Sequence, residues 1–274
     1  MSDIGYDETF LRANLPLPTD ARPGQGGTGE AGTTRRLDFT HFTVVLDPAR
    51  RLALATAVNI DGALLRDVAR ADDWFLDPRI PADEQCGPEV YARNDLDRGH
   101  LVRRRDPVWG TPAAAARANL DTFAYPNAAP QASGFNQSKE LWLGIEDHVL
   151  DYARQFEHRV SAFTAPVLAD DDPAYRGVQI PLRFWKIAAW ADDDGLAAAG
   201  FILDQSGELD LRQLTAEIPP LGPFRTFQVP IADIAVATGL ELGPLVAADR
   251  LLAGQTVQPA DPWVPLESLD DITL

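Results

Sequence analysis

One cysteine stands in the 274 residues, Cys86, which removes an intramolecular disulfide and any multi-cysteine zinc site from consideration. Lysine is almost missing as well: of the 24 basic residues only Lys139 and Lys186 are lysines, and the other 22 are arginine. With alanine and aspartate so frequent, that excess reads first as a compositional bias of the genome and second as function. No apolar run approaches the ~18–20 residues of a membrane span, so a non-membrane protein is expected. The start, Met1 to Glu8, is acidic and lacks both a basic and an apolar signal region. A reducing, cytoplasmic setting is the simplest expectation, with export by a route lacking such a signal left open. Positive charge is short overall. The formal net charge of −17 argues against a general attraction to polyanions. What remains is ordinary for a globular chain, with 45% hydrophobic and 24% charged residues and length enough to bury a full core.

Against this acidic background, residues 97–106 (Asp97-Arg98-Gly99-His100-Leu101-Val102-Arg103-Arg104-Arg105-Asp106) carry four arginines around one histidine, with no acid between 98 and 105. Histidine titrates nearest neutrality and takes a proton from water at working pH. Arginine forks grip phosphate oxygens in pairs and keep their charge. Clefts also focus a local field opposite in sign to the whole molecule. Base, flexible backbone and anion clamp in ten residues point to chemistry on a phosphate. The other histidines, His41, His148 and His158, have no such neighbours and read as structural.

Along the chain, residues 17–36 are rich in Pro, Gly and Thr and read as a mobile arm or strap. His41–Leu46 and Arg51–Val58 flank Asp47-Pro48-Ala49-Arg50 as a two-stranded hairpin. Thr111-Pro112 opens a helix running to Leu120, with Thr as the cap and Pro in the first turn. Phe123 to Gln131 is extended or loop. A helix is expected from about Asn136 to Phe156, with Leu141, Ile145, Val149, Tyr152 and Phe156 as its core stripe. Arg159–Leu168, Leu182–Ala191 and Leu196–Leu203 read as buried strands, the last two joined by Asp192-Asp193-Asp194-Gly195. Pro230 to Leu240 is a short helix that Gly239 ends. Residues from Gln255 onward are acidic and read as a loosely held tail. Hairpins and helices without a βαβ rhythm predict one α+β domain with a central antiparallel sheet and flanking helices. Its expected division is an arm over 1–36, a body over 37–254 and a tail over 255–274.

Three blocks then fall in order: Asp97-Arg98-Gly99-His100-Leu101, Asn127-Ala128-Ala129-Pro130-Gln131, and Phe135-Asn136-Gln137 followed by Trp142 and Glu146. Together they resemble the DNA/RNA non-specific endonuclease family, whose fold is the ββα-metal nuclease fold. The resemblance runs from about residue 4 to residue 243. It implies a phosphodiester hydrolase acting on DNA and RNA, with His100 as the general base. It implies Arg98 on the scissile phosphate, Asn127 supporting the site, and Arg103, Arg104 and Arg105 at the substrate. It implies a Mg²⁺, replaceable by Mn²⁺, tethered by Asn136, with Glu146 holding one of its waters. A homodimer is suggested by resemblance alone, and an inhibitory partner is left open by the charge and the acidic tail. The rival reading is a module of the same fold that binds nucleic acid or protein without cleaving. Two departures stand out. Arg103 occupies a position where the family usually has proline. Two additional residues separate Asn136 from Trp142, which on a straight helix puts Asn136 and Glu146 about 15 Å apart along the axis.

Overall fold

The computed structural model describes residues 4–21, 34–132, 137–192, 195–206, 225–251, 263–268 and 271–272; the side chains of 137–141 lie outside that description. The first half of the chain runs through β1 (Thr19–Asp20), β2 (Arg35–Phe39), β3 (Phe42–Asp47), β4 (Leu52–Asp61), α1 (Pro88–Tyr91), β5 (Leu96–His100), α2 (Pro112–Asp121) and β6 (Ala128–Ala132). Then come α3 (Gln137–Phe156), β7 (Arg159–Val167), β8 (Ala174–Tyr175), β9 (Val178–Gln179), β10 (Arg183–Asp192) and β11 (Gly195–Asp204). The last elements are β12 (Arg225–Val229), α4 (Ile231–Thr238), β13 (Leu240–Glu241) and β14 (Val264–Pro265).

Eight strands form one antiparallel sheet in the order β14-β12-β11-β10-β7-β4-β3-β2. All ten residues of β4 are buried. That explains its unbroken apolar run Leu52-Ala53-Leu54-Ala55: a strand covered on both faces has no polar side to alternate with. On one face, Phe42, Val58, Ile60 and Phe184 pack under Trp142, Ile145 and Leu150 of α3. On the other, Leu54, Phe163 and Trp185 meet Ile231 and Ile234 of α4 and the N-terminal residues Tyr6, Phe10 and Leu15.

Local signals act as the sequence predicts. Thr111 accepts a hydrogen bond from the Ala114 N–H and starts α2. Asp121 at the end of that helix accepts from Thr40 N (3.0 Å) and Oγ1 (2.7 Å), which ties α2 to the β2–β3 turn. The expected hairpin forms as β3 and β4, and α3 ends at Phe156.

Three expectations meet the structure in part. Of the arm expected over 17–36, residues 22–33 lie outside the description, and the described residues on its N-terminal side are held. Tyr6, Phe10, Leu11 and Leu15 are buried, and Thr19–Asp20 pair with Leu240–Glu241 because the sheet's second face needs a cover. Within the acidic tail, Val264–Pro265 pair with β12, Leu266 is buried and Trp263 donates to Asp233 Oδ2 (2.8 Å). In the α3 stripe, Ile145 is buried but Phe156 is 53% exposed. The chain turns at Glu157 with φ 55° into β7, leaving no sheet beneath that ring.

Gly62 marks the tightest approach of α3 to the sheet, for a Cβ there would fall on the carbonyl oxygen of Ala153. Gly62→Ala is expected to cost about 1–3 kcal/mol through forced separation of that turn. Urea unfolding of the variant against the parent measures it.

Candidate active site

β5 and β6 form a separate two-stranded antiparallel pair, with His100 opposite Ala128, Gly99 opposite Ala129 and Arg98 opposite Pro130. Pro130 has no N–H to give, so the pair is weak by itself. It is continued past its end by Asn127. The Leu101 N–H donates to Asn127 O (2.9 Å), and the Val102 N–H donates to Asn127 Oδ1 (2.8 Å). Asn127 Nδ2 donates back to Val102 O (2.9 Å) and to Thr122 O (3.0 Å). Asn127 is fully buried, so it positions the segment after His100 and does not line the cavity. A Cβ at Gly99 would fall on the Gln131 side chain, which would have to swing away.

This pair forms one wall of a cavity of about 730 Å³. Arg98 and His100 line it from β5; Arg103, Arg104 and Arg105 follow; Trp142 and Glu146 face it from α3. Arg70, Asp72 and Trp74 close it from the segment between β4 and α1. The structure thus brings His100, Arg98, Arg103, Arg104, Arg105 and Glu146 together. Asn136 lies outside the described residues.

His100 is held between aromatic rings, its centroid 4.8 Å from Trp74 and 5.1 Å from Phe123. Its Nε2 is buried and has no hydrogen-bond partner among the described residues. Burial first, then the charges of Arg70 and Arg104, pull its pKa down from 6.5 to about 3, with Asp72 opposing. The imidazole is therefore neutral at working pH.

The three consecutive arginines fan out to different partners. Arg103 Nη2 meets Asp147 Oδ1 (2.5 Å), its Nε lies 3.8 Å from Glu146 Oε2, and its Nη1 is buried without a partner. Arg104 donates to Val68 O (3.1 Å) and Asn119 Oδ1 (3.0 Å). Arg105 sits 3.6 Å from Asp67 and 3.8 Å from Asp147. Burial, and then crowding by Arg70, Arg105 and Arg103, lowers the pKa of Arg104. An anion entering the cavity would relieve that repulsion.

Glu146, the carboxylate expected beside a metal-bound water, is committed to a cation. Lys186 Nζ on β10 donates to its Oε1 at 2.7 Å, with the Lys186 side chain only 4% exposed. Under this pair lies Asp106, whose carboxyl burial pushes up to about 7, Glu146 adding to the rise while Lys186 and Arg103 resist it.

No local pattern marks Arg70, Asp72 or Trp74, which belong to a stretch without periodicity. Lys186 carried a faint signal: one of two lysines in an arginine-rich chain, set in an apolar strand.

The model of the DNA/RNA non-specific endonuclease family matches residues 24–249. The uncharacterized protein y4fB of Sinorhizobium fredii (strain NBRC 101917 / NGR234) is 38% identical over 291 residues, taking in 98% of this chain and 42% of that relative. The chain thus spans less than half the length of that curated relative. The crystal structure of the EndoG/EndoGI complex superposes with a TM-score of 0.55 at 19% identity, covering 78% of this chain and 87% of that one. At that identity the likeness is one of fold.

Replacing Lys186 by Met takes away the 2.7 Å partner of Glu146 and leaves it the longer Arg103 contact at 3.8 Å. That loss is expected to cost about 3 kcal/mol in urea unfolding, while Lys186→Met with Glu146→Leu recovers most of it. The Asp106 carboxyl binds its proton more tightly folded than unfolded, so it costs stability as pH rises from about 4 through about 7. Asp106→Asn should remove that loss, seen as a Tm advantage over the parent that grows across a pH 4–8 series.

Proposed function

The chain belongs to the DNA/RNA non-specific endonuclease family, and on that basis we propose that it hydrolyses phosphodiester bonds of both DNA and RNA at the His100 cavity. The observation that carries this reading is a neutral, half-buried imidazole opening on a cavity lined by five arginines in a chain of net charge −17. Because Nε2 is buried and has no hydrogen-bond partner among the described residues, Nδ1 is taken as the nitrogen that accepts a proton from an attacking water. Arg98, exposed at the cavity edge, binds the phosphate under attack, and Arg70 and Arg103–Arg105 supply the field that draws the strand in. Contacts of this kind go to the backbone and carry little base preference.

The cavity suits a cation that keeps its water shell better than one caged by side chains. Glu146 is already neutralised by Lys186, so its remaining oxygen is an acceptor for water and a poor direct ligand. Asn136 would be the direct protein ligand, by family resemblance, with Glu146 reaching the ion through a water in a ββα-metal arrangement. Mg²⁺, or Mn²⁺ in its place, would stabilise the charge that builds on the phosphate oxygens and the leaving 3′-oxygen. The structural neighbour is EndoG in complex with EndoGI. An inhibitory partner therefore belongs to the proposal, while a homodimer rests on family resemblance only.

Supercoiled plasmid and an RNA should both be cut with Mg²⁺ present and spared with EDTA. His100→Ala should lose about 10²–10⁴-fold in rate. Since His100 stays neutral down to about pH 3, kcat/KM should show no fall centred near 6.5. A folded chain that binds both nucleic acids and cuts neither under any divalent ion would be the non-cleaving module instead.

A further inference from the structure

We propose that Trp74 is a positioning residue for this reaction: its indole lies against the imidazole of His100 and under the guanidinium of Arg98, holding the two in one stack. The proposal rests on the nuclease reading above and names the part that sets its geometry. The Trp74 and His100 centroids are 4.8 Å apart with the rings inclined at 52°, and Arg98 Cζ sits 5.4 Å over the Trp74 ring. Behind it, Phe123 meets the indole edge-on at 5.3 Å and Tyr125 at 5.7 Å. Trp74 thus touches both groups to which the reaction assigns a role, and rigid aromatic neighbours back it.

The segment that carries it is fixed to the body although it has no regular structure. The Phe75 N–H donates to Phe123 O (3.1 Å) and the Tyr125 N–H to Phe75 O (2.9 Å). Further back, the Arg66 N–H donates to Val108 O (2.9 Å). The same segment brings Arg70 and Asp72 to the cavity. An indole at this place does two things. It removes water from one side of His100, and so favours the uncharged ring. It also offers Arg98 a π-face, which attracts guanidinium most strongly when the ring is tryptophan. The charged groups that line the cavity with His100 are Arg70 and Asp72 from that segment, Asp97 and Arg98 from its own strand, Arg103, Arg104 and Arg105 from the turn after it, and Glu146 from α3.

The test uses the full chain with Trp74→Leu and Trp74→Phe, reading the His100 titration by imidazole NMR and the KM for plasmid. In Trp74→Leu, His100 should titrate at least about one pH unit higher than in the parent, and KM should rise roughly two- to fivefold. Trp74→Phe keeps apolar cover with a weaker π-face, so its His100 should titrate close to the parent while KM still rises. A folded Trp74→Leu chain with the parent's titration overturns the proposal. Should the leucine variant not fold, an unchanged KM in Trp74→Phe overturns it instead. The titration needs no turnover. A chain that cuts nothing while Trp74→Leu moves the His100 titration would sink the nuclease reading and leave the Trp74 contact standing.

Discussion

Everything at the His100 cavity depends on the buried carboxamide of Asn127. Five residues of β5 face five of β6, one of them a proline, and an isolated pair that short is marginal in water. Asn127 extends it by exchanging two side-chain hydrogen bonds with the main chain of Val102, while its own carbonyl takes the Leu101 N–H. The backbone on both sides of His100 is thereby fixed, by strand pairing before it and by an amide after it. Leaving either Val102 group unpaired in so dry a place would carry the full desolvation penalty. An asparagine can serve here because it presents one donor and one acceptor at the spacing of a peptide group.

That rigid frame matters because the site sets opposing demands on charge. A nucleic-acid cavity wants cations close together, and close cations in a poorly solvated wall repel one another. Arg103 is stabilised from the side by Asp106, Asp147 and Glu146, whereas Arg104 donates to the neutral Val68 O and Asn119 Oδ1, and the charge of Asp72 does not offset its crowding. Exposed charges elsewhere are screened over about 10 Å at ordinary salt, so the −17 of the whole chain does not cancel the arginine wall. The features that favour an anion, burial and the Arg70 and Arg104 charges, are also those that keep His100 unprotonated. One arrangement would serve both attraction and the proposed base chemistry.

The ion pair of Lys186 with Glu146 extends this network into the core. It joins β10, in the middle of the sheet, to the face of α3 that looks into the cavity. A buried pair of this kind adds little net stability over an apolar one, but it is intolerant of losing one partner. It therefore fixes where α3 lies more than how firmly it is held, and α3 carries Trp142 and Glu146 to the wall.

What the sequence determined by itself is whatever nearest neighbours decide. Thr111 caps α2 because a hydroxyl sits beside a helix start, the run Leu52-Ala53-Leu54-Ala55 marks β4 as a covered strand, and the Asp97–His100 block points to phosphate chemistry through residue type and spacing. The family blocks around His100, Asn127 and Glu146 were legible for the same reason. Tertiary structure decided the rest. Trp74 reaches His100 across 25 intervening positions of chain, Lys186 reaches Glu146 across the sheet, and Phe10 and Leu15 cover a face that no local pattern describes. Such contacts arise from loop closure and from apolar surface seeking cover. Both are properties of the folded whole, with no periodic trace along the chain.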